Sequence, residues 1–156
     1  MATPAEAIRA LVAAGATVAT CESITGGLIC GALTAVPGAS EVVRGGLITY
    51  ATALKTTLAG VDPAVIAAYG VVSEPVARAM AAGARRTCGA DWGIGVTGVA
   101  GPGPADGVPA GTVWLALSGP GWETARRLEA TGDRAEIRAA VVAAAVADLC
   151  AVLTRE

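Results

Sequence analysis

No histidine occurs anywhere in this chain. That absence removes Ser-His and Cys-His catalysis within it and leaves Lys, Tyr, Asp or Glu as the side chains able to act as a general base. The four cysteines, Cys21, Cys30, Cys88 and Cys150, show no C-x-x-C spacing, so a zinc site or a disulfide framework is not expected. No metal or other cofactor is implied. Basic residues are few and scattered, 11 against 13 acidic ones for a net charge of −2, which gives no electrostatic footprint for nucleic acid. Long apolar runs are missing too. The 54% apolar content is mostly Ala and Gly, and no run reaches the roughly 18 residues of a membrane span. The nearest approach, Ala139 to Leu153, is interrupted by Asp148. The first residues lack a basic segment followed by an apolar one, so no signal peptide is read and a cytoplasmic protein with no membrane partner is expected.

A chain of 156 residues is most simply one domain, 1–156, able to bury roughly two-thirds of its unfolded surface. Pro4 to Ala14 carries Ile8, Leu11 and Val12 on one helical face and stops at Gly15. Thr17 to Thr20 is a short strand, and Leu28 to Ala35 a helix ended by Pro37-Gly38. Glu41 to Tyr50 is β-type, with Gly45-Gly46 marking a bulge or a close backbone approach. Helices follow at Ala51–Leu58 and Pro63–Tyr69, then from a Ser73 cap to about Cys88. Trp92 to Thr97 is a strand leading into a Gly/Pro loop that reaches Pro109. Thr112–Ser118 and Trp122–Leu128 form a hairpin around Gly119-Pro120-Gly121. A last helix opens at Asp133, with Glu136 in the capping-box relation. Strands alternating with helices, then one hairpin, give a three-layer α/β/α sandwich with a mixed, mostly parallel sheet.

One stretch organises the rest: Thr20-Cys21-Glu22-Ser23-Ile24-Thr25-Gly26-Gly27. It places the Ser23 hydroxyl where a strand turns into a helix. The first backbone N–H groups of a helix lack partners and form an anion site, and Gly26 and Gly27 allow close approach to that backbone. A nucleophile beside an oxyanion hole needs this geometry. An ordinary Ser/Thr helix cap has the same sequence signature.

Lys55 is the only lysine; the other ten basic residues are arginines. A desolvated Lys can lose its proton and Arg in practice cannot, so Lys55 could take the proton of Ser23; a lone surface Lys is the plainer alternative. Tyr50, in a chain with few aromatics, could relay a proton or be a core ring with its hydroxyl at the rim. Thr97, Gly98 and Gly101 follow a strand end, where ligands collect in open α/β sheets, although an ordinary turn looks similar. Arg134 and Arg138 stand four apart near a helix N-terminus, where cations oppose the dipole unless an anion is present. Asp133, Glu136 or a substrate phosphate could be that anion.

Taken together these segments resemble the C-terminal domain of the CinA family, the nicotinamide-nucleotide amidohydrolases, over nearly the whole chain. The marks are Glu22-Ser23-Ile24-Thr25-Gly26-Gly27, Leu33-Thr34-Ala35-Val36-Pro37-Gly38, Gly45-Gly46-Leu47-Ile48-Thr49-Tyr50 with Lys55 five residues on, Gly70-Val71-Val72-Ser73-Glu74, Val96-Thr97-Gly98-Val99-Ala100-Gly101-Pro102, Gly111-Thr112-Val113 and Gly132-Asp133-Arg134. The resemblance implies deamidation of nicotinamide mononucleotide (NMN) to nicotinate mononucleotide and ammonia without a metal, in the service of pyridine nucleotide salvage. It implies Ser23 as nucleophile with Tyr50 and Lys55 as partners. Four places depart from the family pattern: Ile24 stands where Cys is usual, Cys21 for Ala, Ala51-Thr52 for Ser-Asn, and Tyr69-Gly70 for His-Gly. Many members carry a further N-terminal domain that is not read here, so the stand-alone form is expected; the resemblance and an apolar surface surplus imply a homo-oligomer.

The expected chemistry is acyl transfer to Ser23. Lys55, directly or through Tyr50, accepts the proton, and backbone N–H groups around Thr25, Gly26 and Gly27 hold the oxyanion. The Gly/Pro loop or the Arg134/Arg138 face supplies an anion site for the ribose phosphate. The rival readings are a nucleotide-binding or regulatory module without turnover, and an amidase for another small amide.

Overall fold

Caps and apolar periodicity fix where each element begins. Thr3 accepts the N–H of Glu6 (3.2 Å) while the Glu6 carboxylate accepts the N–H of Thr3 (2.6 Å), a complete capping box with Pro4 as the first helical residue. In the computed structural model, which describes residues 1–155, this helix is α1 (Pro4–Ala14). There follow β1 (Val18–Glu22), α2 (Leu28–Thr34), a single 3-10 turn at Ala39–Glu41, β2 (Val43–Ile48), α3 (Thr52–Thr57), α4 (Pro63–Tyr69) and α5 (Glu74–Cys88). The chain ends in β3 (Trp92–Gly98), β4 (Thr112–Gly119), β5 (Trp122–Glu129) and α6 (Arg134–Leu153).

The five strands form one sheet in the order β2-β1-β3-β4-β5. β2, β1 and β3 are parallel, and β4 runs against both its neighbours, so four of the five strands point the same way. Side chains alternate across β1. Val18 faces the larger core, closed by Leu11 of α1, Ile29 and Leu33 of α2, and Val141 and Leu149 of α6. Ala19 and Cys21 face the other side, against Val76, Met80 and Ala84 of α5. This is the expected α/β/α sandwich. Small residues on β3 let α5 lie close to the sheet: a methyl group on Gly93 or Gly95 would stand 2.0 or 2.4 Å from the carbonyl oxygens of Ala81 and Ala77. No helix among the described residues is long and apolar enough to cross a membrane.

Three details near the site differ from the sequence reading. β1 continues through Glu22, two residues past Thr20, because its parallel ladders on both sides run that far, to Ile48 and Val96. β2 is shorter, since Ala39–Glu41 is taken into the 3-10 turn, and its register skips Arg44 opposite Val18–Ala19. Ser73 occupies the cap position of α5, yet its hydroxyl donates to Gly70 O (2.8 Å) instead of capping the helix.

The connections then decide where a ligand can sit. From β1 the chain passes through α2 to β2 on one flank, while β3 lies on the other. Their carboxyl ends open together into the crevice expected where strand order reverses.

Candidate active site

Ser23 is the first residue after β1, its N–H donated to Val96 O of β3 (3.1 Å), and its side chain is 8% exposed. Lys55 comes from α3. Its side chain is 1% exposed, and Nζ donates to Ser23 Oγ (2.9 Å) and to Thr49 O (2.6 Å). The surface-lysine alternative is therefore excluded. Burial pushes the amine below its ordinary pKa of 10.5. Burial also pushes Cys21 up to about 11, so it stays a neutral thiol, its Sγ 3.5 Å from Thr49 Oγ1.

These two side chains form the floor of a cavity of about 440 Å³ that also takes in Tyr50, Thr97, Gly98, Gly101 and Arg134. Thr97 is buried at the end of β3, and its hydroxyl donates to Val71 O (2.9 Å), which fixes the wall formed by Val71 and Val72. Arg134, the first residue of α6, spans the rim. Its Nη1 donates to Gly101 O (2.8 Å) and its Nη2 to the Tyr50 hydroxyl (3.0 Å). Tyr50 is 62% exposed, so it is not a core ring, and among the described residues no hydrogen bond joins it to Ser23 or Lys55.

Four residues expected to bind substrate lie off this cavity: Thr25, Gly26, Gly27 and Arg138. The cause is Glu22. Its buried carboxylate accepts the Thr25 hydroxyl (2.6 Å) and the N–H groups of Ile29 (2.8 Å) and Cys30 (3.0 Å), so the N-terminus of α2 is already filled. The N–H groups of Gly26 and Leu28 are donated to Ser23 O and Thr25 O. Gly27, at φ +102°, begins α2 in the left-handed region, where it costs a glycine little. Arg138 is turned to the same segment, donating to Ile24 O (3.0 Å) and Thr25 O (3.2 Å). The two arginines four apart on one helix thus serve different surroundings. Asp133 caps α6 through the Glu136 N–H (2.9 Å).

Ile24 and Thr52, noted in the sequence only as departures from the family pattern, also line the cavity, as do Val71, Val72 and Asp106, which were not expected at the site. Asp106-Gly107 is a turn signal that was readable: both residues have positive φ, 50° and 75°, and close a two-residue hairpin between Ala105 and Val108. That hairpin lifts the Gly/Pro loop over the cavity. Ile24 and Thr52 stand beside Ser23 and Tyr50 in the sequence, which was the signal for their place in the cavity.

The arrangement thus sets a buried amine against a serine hydroxyl at the strand ends of an α/β sandwich. Residues 2–153 match the family described as the CinA C-terminal domain. The chain belongs to that family. It is 48% identical over 136 residues to a CinA-like protein of Frankia casuarinae, covering 87% of this chain and 31% of that protein. A CinA-like protein of Anaeromyxobacter sp. (strain Fw109-5) is 51% identical over 136 residues, covering 86% and 33%. The chain thus spans about a third of the length of these relatives. Among solved structures, the competence damage-inducible protein A of Klebsiella pneumoniae superposes with a TM-score of 0.94 at 36% identity, covering 97% of this chain and 95% of that one. A CinA superfamily protein of Escherichia coli gives 0.92 at 33% identity, covering 96% and 87%.

Proposed function

We propose that this chain hydrolyses the carboxamide of nicotinamide mononucleotide to nicotinate mononucleotide and ammonia. The observation that carries the reading is the 2.9 Å contact between buried Lys55 Nζ and Ser23 Oγ at the base of the cavity. With Lys55 neutral, the Ser23 hydroxyl gives its proton to Nζ as Oγ attacks the carboxamide carbon. Collapse of the tetrahedral adduct breaks the C–N bond, Nζ returns the proton to the leaving nitrogen, and ammonia departs from an ester on Ser23. Water then attacks that ester with Nζ again taking the proton, releasing the acid and restoring Ser23. Lys55 acts directly, because Tyr50 is held at the rim by Arg134. The oxyanion falls to backbone N–H groups around the cavity, such as that of Ile24, and not to the start of α2, which Glu22 fills.

Arg134 is the group offered to the phosphate, since it is the arginine that lines the cavity and its present acceptors, a carbonyl and a hydroxyl, are neutral. The exposed apolar side chains of Ile48 on the edge strand β2, and of Leu28 and Leu54, support a homo-oligomer. The test of the reading is ammonia release from NMN. Ammonia and nicotinate mononucleotide formed in equal amounts are expected. Ligand-dependent thermal stabilisation with no ammonia would make the chain a binding module instead, and turnover of other amides alone would assign it another substrate.

A further inference from the structure

We propose that Glu22 is a positioning residue for the reaction at Ser23, holding the serine's turn through its side chain and the lysine's acceptor through its main chain. This rests on Ser23 and Lys55 being the reacting pair.

A carboxylate that is 1% exposed, with no Lys or Arg in a salt bridge to it among the described residues, is tolerated only where hydrogen bonds replace water. Glu22 has four. Oε1 accepts from Thr25 Oγ1 (2.6 Å) and Ile29 N (2.8 Å), and Oε2 from Thr20 Oγ1 (2.9 Å) and Cys30 N (3.0 Å). This uses the acceptor capacity of both oxygens. The cap residue of α2 is Gly27, which has no side chain to offer, so the cap arrives from the preceding strand. A cap borne on β1 does more than satisfy a helix end. It fixes the start of α2 against the end of β1, and so sets the path of residues 23–27 between them. The same turn is also held by Arg138, which donates to the carbonyl oxygens of Ile24 and Thr25. The turn bearing Ser23 is thus held by one carboxylate and one guanidinium.

The main chain of the same residue reaches the other partner. Glu22 O accepts the Thr49 N–H (2.8 Å), and Thr49 O accepts Lys55 Nζ (2.6 Å). One residue therefore registers both reacting atoms without touching either. The ionisable neighbours that interact with Glu22 are the Cys21 and Cys30 thiols, both pushed up by burial and so neutral at working pH.

The experiment compares wild type, Glu22→Gln and Thr25→Val in the full chain, with Ser23→Ala as control. It reads kcat and KM for NMN, the rate at which a small fluorophosphonate labels Ser23, and the fold by circular dichroism at the assay temperature. Glu22→Gln keeps the shape but turns a donor toward donors. Expected are a fall of roughly 10- to 100-fold in both kcat and labelling rate, the scale on which a small misplacement of reacting groups acts, with KM unchanged within a factor of two to three. Labelling and kcat equal to wild type in a folded Glu22→Gln would overturn the proposal and leave Glu22 a support of the fold alone. If that variant does not fold, Thr25→Val decides. It retains the charge and removes one donor, so a smaller fall with the same kcat-against-KM split supports the proposal, and wild-type values overturn it. Wild type that neither turns over NMN nor labels at Ser23 would remove the pair itself, and the proposal with it; an active wild type alongside an equally active Glu22→Gln removes the proposal only.

Discussion

The floor and the rim of the cavity are built on opposite terms. At the floor, Ser23 and Lys55 are buried, joined at 2.9 Å, and each tied to the backbone of a strand or its end. At the rim, Tyr50 is exposed, and Arg134 reaches a hydroxyl and a loop carbonyl, partners that an anion can displace. A proton transfer gains from fixed distances and exclusion of water. Recognition of a charged substrate needs groups that can exchange partners as the ligand enters. On the proposed function, chemistry falls to the buried pair and selection to the exposed rim.

The largest expected effect breaks the floor. Ser23→Ala should lower kcat by about 10⁴-fold or more, as loss of a serine nucleophile does in hydrolases, while nucleotide binding followed by calorimetry stays near wild type. Lys55→Arg should be almost as inactive as Lys55→Met, because guanidinium retains its proton. Wild-type kcat/KM should rise with pH through the lowered pKa of Lys55, the neutral amine being the active form. The same group gives a stability slope of known sign. The folded state binds fewer protons than the unfolded state between the lowered pKa and 10.5, so wild-type stability should rise with pH across that window. Thermal melts of Lys55→Met should lack this rise.

The two arginines sharpen the comparison from the other side. Arg134→Ala should raise KM for NMN by roughly 10- to 100-fold, in keeping with the loss of charge-assisted hydrogen bonds to phosphate, and leave the phosphate-free nucleoside little changed. Arg138→Ala should instead lower kcat for both substrates alike, since it holds the Ser23 turn and lies off the cavity. Equal behaviour of the two variants would erase the distinction between floor and rim. The smallest effect is expected for Tyr50→Phe. A few-fold change in KM with kcat nearly kept follows if the hydroxyl serves only Arg134, and a large loss of kcat would return Tyr50 to the proton path.

Much of this was legible in the sequence, for identifiable reasons. Helices and strands carry their period and their start and stop signals locally, so α1, α5 and the β4–β5 hairpin could be placed from Gly15, Ser73 and Gly119-Pro120-Gly121. Lys55 stood out by being the single lysine of the chain. What could not be read was the fate of the hydrogen bonds at the start of α2. A glutamate before a serine has no local signal that says its side chain will fold back over the next helix, so the helix start looked like a free anion site. The fate of Arg138 was hidden for a related reason. Its partners are 113 and 114 residues away, and only the assembled α1–α2–α6 layer brings them within reach. Helical spacing paired it with Arg134, and tertiary structure separated them.

That long reach has a consequence for how activity arises as the chain folds. The contact between Lys55 and Ser23 closes 32 residues, Arg134 to Tyr50 closes 84, and Arg138 to Ile24 closes 114. Closing a loop costs entropy that grows with its length, and contacts so distant in sequence form late. The final helix is in effect a component of the first turn, and a ribosome must release the whole of α6 before Ser23 is held as it is here. A nascent chain, or one clipped before Arg134, has its serine and its lysine but not the frame that aligns them.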